Sequence, residues 1–258
     1  MRGDRKGDRM KKTGVIAAFL LLASQCAAIK YERPAFDRAE TEAAAAAIEQ
    51  APMPVKSEAP VDELVAVADR AAQRLRDHTG PLCEAIGSET CGFALRIAGN
   101  EEANAFADEK GTIWITVALL RYLETEDEVA AMLAHEIAHR MSGHDASAAT
   151  AARYYQAMRY TLGGSSPSSA ASRQSASARH LIALEADADY LAAFLLKRAG
   201  YDLTAAETLW ITLAKVSNNK AASIMATHPL SAERLAAWRR IAAELDADPE
   251  ALPRVAGD

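Results

Sequence analysis

At 258 residues, half of them hydrophobic and a quarter charged, the chain is long enough for one well-packed domain with appendages. A net charge of −6 argues against nucleic acid as a partner, because phosphate binding calls for a basic surface. No apolar run reaches the ~18–20 residues that a membrane-spanning helix requires.

The N-terminus departs from this ordinary picture. MRGDRKGDRMKK is basic, GVIAAFLLLA (residues 14–23) is a short apolar block, and the small residues of SQCAA follow. That order is the pattern of a secretory signal, so residues 1–28 are expected to be a signal peptide or a lipoprotein signal. Met10 could serve as the start, since MKKTGVIAAFLLL is a complete signal by itself. A buried core helix is the competing reading. The expected location is the periplasm or cell envelope. Cys26 is a candidate for lipidation, which would tether the protein to a membrane. Gln25 suits a lipoprotein cleavage site poorly, so ordinary cleavage stands beside it. In an oxidising compartment Cys83 and Cys91, eight residues apart, can pair. On the chain-entropy account, closing so short a loop stabilises the fold by roughly 2–3 kcal/mol. That leaves no spare thiol in the mature body to act as a nucleophile.

Residues 29–60 are rich in Ala, Glu and Pro and read as a linker or a loosely attached helix. The folded domain is expected over 61–245, with a tail at 246–258. VDELVAVADRAAQRLRDH repeats its apolar residues at helical spacing. FALRIA (93–98) and TIWITV (112–117) have the composition of short strands, and GNEEANAF and ADEKG supply turns between them. Thr125 and Glu128 form a capping box that opens a helix through VAAMLAHEIAHRM. GGSSPSSAASRQSASAR (163–179) is small, polar and aperiodic, which predicts a mobile loop, either a substrate gate or a disordered insertion. The next helix, HLIALEADADYLAAFLLKRAGYD, aligns Leu184, Ala188, Leu191 and Leu195 on one face, with Gly200 as its stop. Thr204 and Glu207 are expected to cap a helix holding Leu209, Leu213 and Val216. A last helix begins after His228-Pro229, at SAERLAAWRRIAAEL. The fold class is α+β and mostly helical.

The chemistry concentrates in LAHEIAHRMSGH, residues 133–144, which holds three of the six histidines. Residues four apart share a helix face, so His135 and His139 project their imidazoles together, a pairing that suits Zn²⁺. Glu136, turned by roughly 100° about the axis, can stand beside the metal and act as a general base. A polar helix face is the alternative. A third ligand decides between them. A metzincin protease would place glycine and histidine where Ser142 and Asp145 stand. His144 comes one residue too early and points away from His135 if the helix continues. A thermolysin-like glutamate some twenty residues on is also missing: Arg159 occupies that place, and no acid lies between 146 and 184. The first acid after the gap is Glu185. With Asp189 four residues on, Glu185 can complete the metal shell while Asp189 fixes the tautomer of a ligand histidine. A solvated acidic face is the alternative, although both residues interrupt an otherwise apolar helix.

With these motifs in place, residues 93–240 resemble the zinc endopeptidases that include the CAAX prenyl proteases, the bacterial heat-shock membrane protease and their soluble periplasmic relatives (gluzincins of peptidase family M48). NAFADEKGTIWITVALLRYLETEDEVAAMLAHEIAH is similar to that family's strand, helix and His-Glu-x-x-His block. EADADYLAAFLLKRAGYD is similar to its third-ligand helix, and THPLSAERLAAW to its Thr-His-Pro segment with a following arginine, here Arg234. Asp187 stands where the family has a second glutamate, and a register shifted by two residues would put Asp187 behind the metal in place of Asp189. The resemblance implies a zincin-like domain with a small β-sheet beside the active-site helix and one Zn²⁺ per chain. It implies that Glu136 activates the hydrolytic water and that Arg234 assists with the oxyanion. It also implies that His228 can plug the metal as a fourth ligand; an ordinary turn histidine before Pro229 is the alternative. Polypeptide substrates are expected to add as a strand along Ile113–Val117. The function expected is zinc endopeptidase action on unfolded or misfolded envelope proteins. The rival is a non-catalytic, chaperone-like binding protein with a structural or plugged zinc.

Overall fold

The computed structural model describes residues 31–108, 110–144, 167–217, 228 and 231–256, with the backbone alone at 167–181 and 217. The signal segment and Cys26 lie outside the described residues. The architecture is mostly helical with one three-stranded sheet, as the composition of the segments predicts.

A long helix, α2 (Val61–Ala85), follows α1 (Arg38–Gln50) and buries Leu64, Ala68, Ala71, Leu75 and Leu82 along one stripe. It ends in a loop closed by the Cys83–Cys91 disulfide. Strands β1 (Ala94–Ala98), β2 (Ala105–Ala107) and β3 (Thr112–Thr116) follow. β3 is central, parallel to β1 and antiparallel to β2. β2 falls where only turn residues are expected, because a three-residue Ala-Phe-Ala strand carries no periodicity of its own. Its pairing to Ile113–Ile115 overturns one expectation. Both edges of β3 are occupied, so a substrate strand has no place along Ile113–Val117. Val117 itself opens a single turn, α3 (Val117–Leu120).

The centre of the molecule is α4 (Glu126–Met141). Its N-terminus has the predicted capping box: Thr125 accepts from the Glu128 amide and Glu128 accepts from the Thr125 amide. The Ala, Met, Leu and Ile residues beyond it are buried on every side, between α2, the sheet and α5 (Pro167–Arg198). α5 corrects a second expectation. The segment 167–179 is helix rather than loop, because its Ala, Ser, Arg and Gln residues tolerate helix and continue into the apolar stretch beyond. The predicted stop is present. Gly200 (φ 74°) is followed by Tyr201, whose amide donates to Leu196 O at 3.0 Å, closing a left-handed C-cap.

Asp202, not Thr204, caps the short α6 (Leu203–Ala206), and Glu207 pairs with Arg239 instead of completing a capping box. Helices α7 (Thr208–Ser217) and α8 (Ala232–Ala247) complete the body. The segment expected as a linker is built into this body from Tyr31 onward. α1 packs on α8, buries Ala44 and ties Glu40 to Arg240. Tyr31 is buried and forms a bridge with Val255, so chain ahead of α1 and chain after α8 meet on the same surface. Among the described residues no helix is long and apolar enough to cross a membrane.

Candidate active site

Two segments converge on the last turns of α4. α4 supplies His135, Glu136 and His139. α5 crosses it and presents Glu185 and Asp189, and the chain entering α8 brings His228 and Arg234. The two α4 imidazoles meet edge to face, with ring centroids 4.6 Å apart and planes at 86°. His135 Nε2 lies 3.0 Å from His139 Nε2, 3.2 Å from His228 Nδ1 and 3.3 Å from Glu185 Oε2. Glu185 Oε1 is 3.2 Å from His139 Nε2, and Glu185 Oε2 is 3.1 Å from His228 Nδ1.

These spacings test whether the residues fit a metal. Donors at about 2.0–2.1 Å from a tetrahedral Zn²⁺ stand roughly 3.3–3.4 Å from one another, as the edges of the tetrahedron require. The observed separations of 3.0–3.3 Å are close to that. Lone pairs turned toward one point repel unless a proton or cation sits among them, so this quartet, three of its four members buried, fits a divalent ion. Glu136 is also buried, and its Oε1 lies 3.3 Å from His228 Nε2, at the border of the donor set.

Behind the donors is a second layer. His135 Nδ1 is 2.9 Å from Asp189 Oδ1. Arg234 donates through Nε to Asp189 Oδ2 and through Nη2 to Asp189 Oδ1, both at 2.8 Å, while its Nη1 stands 3.0 Å from Glu185 Oε2. The arginine is buried over the Trp210 ring, 5.1 Å from its centroid. Its three guanidinium nitrogens all face carboxylates. Arg234 thus holds the two acids in place. Asp187 turns the other way, 3.5 Å from Arg33, which leaves Asp189 as the acid behind His135.

Burial would drive the His135 pKa down, but Asp189 and Glu185 outweigh it and lift it to about 9. Burial also dominates at His139, where the Glu185 carboxylate compensates only in part and the pKa stays lowered. Burial alone would raise the carboxyl pKa values of both acids. His228 and Arg234 instead hold Glu185 well below its ordinary range, and Arg234 and His135 lower Asp189.

His144 was expected to point away along a continuing helix. The helix stops at Met141 and Gly143 (φ 73°) reverses the chain, which brings His144 Nδ1 to 3.0 Å from His139 Nδ1. The Ser142-Gly143 pair at the end of the periodic run was the readable signal. The disulfide loop also reaches this end. Ser88 Oγ donates to Met141 O at 2.7 Å and Thr90 Oγ1 to Arg140 O at 2.8 Å, satisfying carbonyls that the helix leaves open.

The chain is 28% identical over 150 residues to the mitochondrial metalloendopeptidase OMA1 of Schizosaccharomyces pombe, covering 55% of this chain and 44% of that protein. It is 30% identical over 176 residues to the beta-barrel assembly-enhancing protease of Yersinia pestis, covering 62% and 36%. It is 29% identical over 170 residues to the Escherichia coli K12 protein of the same name, covering 59% and 35%. The chain thus spans less than half the length of these relatives. The model of peptidase family M48 matches residues 69–242, and the chain belongs to that family, whose metallopeptidases use zinc.

Proposed function

We propose that this chain is a zinc-dependent endopeptidase in which His135, His139 and Glu185 hold one metal ion and Glu136 is the general base. The observation that supports it is the largely buried donor set, with measured separations of 3.0–3.3 Å close to tetrahedral spacing and the Glu136 carboxylate at its border. Bound there, zinc lowers the pKa of a water toward neutrality and polarises the scissile carbonyl. Glu136 takes the proton from the attacking water and delivers it to the leaving amine. Asp189 keeps the proton on His135 Nδ1, so that Nε2 presents its lone pair to the metal. Arg234 keeps Glu185 and Asp189 ionised where burial alone would neutralise them.

An unfolded polypeptide suits the site as an extended chain along the outer edge of β2, which packs against α4 and has small Ala105 and Ala107 flanking Phe106. Backbone pairing there would read few side chains. The proposed substrates are unfolded or misfolded proteins of the cell envelope, and the proposed location is the envelope or periplasm. The signal-like leader, the Cys83–Cys91 disulfide and the name of the beta-barrel assembly-enhancing relatives support that placement.

His228 supports a second reading. Its Nδ1 stands at the fourth corner of the donor set, and four protein ligands are the pattern of a closed zinc site. The enzyme is then latent until His228 withdraws, or the protein is a non-catalytic, chaperone-like binder. Casein digestion by the mature chain, His228→Ala and Glu136→Gln at matched zinc content tests both readings. Cleavage by wild type or His228→Ala, reduced at least about 100-fold on adding Glu136→Gln, is the expected result. Zinc bound without cleavage by either protein would favour the binder.

A further inference from the structure

The second half of the His-Glu-x-x-His motif has a partner that the proposed mechanism does not use. We infer that His144 is the positioning residue behind His139, accepting its Nδ1 proton and so fixing the tautomer and ring orientation in which His139 Nε2 can bind metal. The inference rests on the reading of His139 as a ligand.

A histidine that ligates through Nε2 must carry its proton on Nδ1, and that proton needs an acceptor if the ring is to stay in one orientation. His139 Nδ1 faces His144 Nδ1 at 3.0 Å, on the side of the ring away from the donor set. The rings are inclined at 66°, with centroids 5.2 Å apart. His144 is only 5% exposed, so bulk water does not stand in for it.

The local backbone builds this contact. The His144 amide donates to His139 O at 2.8 Å and the Gly143 amide to Arg140 O at 2.9 Å, the paired bonds of a left-handed C-cap. The turn that ends α4 therefore returns the chain to the residue it left five positions earlier. Gly143 makes this possible, because its φ of 73° is costly for any residue with a Cβ. Ser88 and Thr90 hold the neighbouring carbonyls from the disulfide loop, so the acceptor sits on a braced turn.

The two ligand histidines are thereby backed differently. His135 has a carboxylate behind it and His139 an imidazole. A carboxylate acceptor makes the ligand more basic, whereas an imidazole orients it without adding negative charge beside Glu185 and Asp189.

Zinc affinity by chelator competition tests this, on mature wild type, His144→Phe and His144→Asn. Phe keeps the ring volume without an acceptor, and Asn keeps an acceptor near the Nδ1 position. His144→Phe should bind zinc about 10–100-fold more weakly than wild type. His144→Asn should recover most of that loss, with the metal-free proteins melting within a few degrees of one another. In zinc-loaded wild type the His139 Nδ1 proton should give a slowly exchanging downfield resonance that His144→Phe removes. Unchanged affinity in the Phe variant, or equal losses in both variants together with lower metal-free melting points, would overturn the inference. Wild type that binds no zinc would overturn the metal reading itself, and the role of His144 with it.

Discussion

His135 and His139 are chemically identical, one helical turn apart on the same face of α4, yet the protein treats them in opposite ways. His135 is buried against Asp189 and Glu185, and its pKa rises to about 9. His139 is partly open and backed by His144, and its pKa falls below the ordinary value. The spacing is local, whereas the environments come from α5, from α8 and from the turn after α4. Without metal, a proton therefore belongs on His135 rather than His139, and metal binding must displace it.

The comparison breaks most severely if Arg234 is removed. Arg234→Met would leave Asp189 and Glu185 buried without the cation that both face. Removing one partner of a buried ionic network costs about 3–5 kcal/mol, so denaturant unfolding of the metal-free variant should show a loss of that order. Zinc would recover part of it, since the ion supplies positive charge to Glu185. A variant as stable as wild type would mean that the acids are protonated, and the opposite pKa directions of the two histidines would need another cause.

Asp189→Asn removes the carboxylate behind His135 alone. Zinc affinity should fall about 10–100-fold, and the pKa of His135 should drop from its raised value. Metal-free stability then changes its pH dependence in a defined direction. A histidine raised from 6.5 to about 9 contributes stability that is fully present below pH ~6.5 and lost as pH climbs through ~9. His139, lowered, works on the other side: its neutral buried state loses stability as pH falls below ~6.5. Between them the two histidines favour a metal-free optimum near pH 6.5. In Asp189→Asn the alkaline arm should flatten while the acid arm persists, as chemical unfolding across pH would register.

What could be read from the sequence follows the same division between local and distant. His135, Glu136 and His139 are legible because helical spacing alone puts them together, and Glu185 and Asp189 because two acids at the same spacing interrupt an apolar face. The capping box at Thr125 and the stop at Gly200 are local too. Arg234 carries no local signal, since its partners lie 45 and 49 residues away and only resemblance to a family points to it. The docking of α1 is equally hidden: an Ala-rich helix gives little sign of a partner until α8 covers Ala44. β2 is too short to show a period and exists through β3. His144 is a different case. Its Gly143 stop was there to be read, but extending the helix one turn too far reversed the direction assigned to the ring.

The smallest expected effect tests whether that division is real. Thr125→Ala deletes the hydroxyl that accepts from the Glu128 amide at the far end of α4, three turns from the donor set. The other half of the box stays: Glu128 Oε2 still accepts from the Glu124 amide at 2.7 Å and the Thr125 amide at 3.0 Å. The loss should therefore be about 1 kcal/mol of global stability, the ordinary cost of an N-cap, read as a lower denaturant midpoint at constant slope. Zinc affinity and the pH profile should not move, because α4 is held at its C-terminal end by Ser88, Thr90 and the turn at Gly143. A cap variant that also weakened zinc binding would show that the helix transmits strain along its length and that its two ends are not independent.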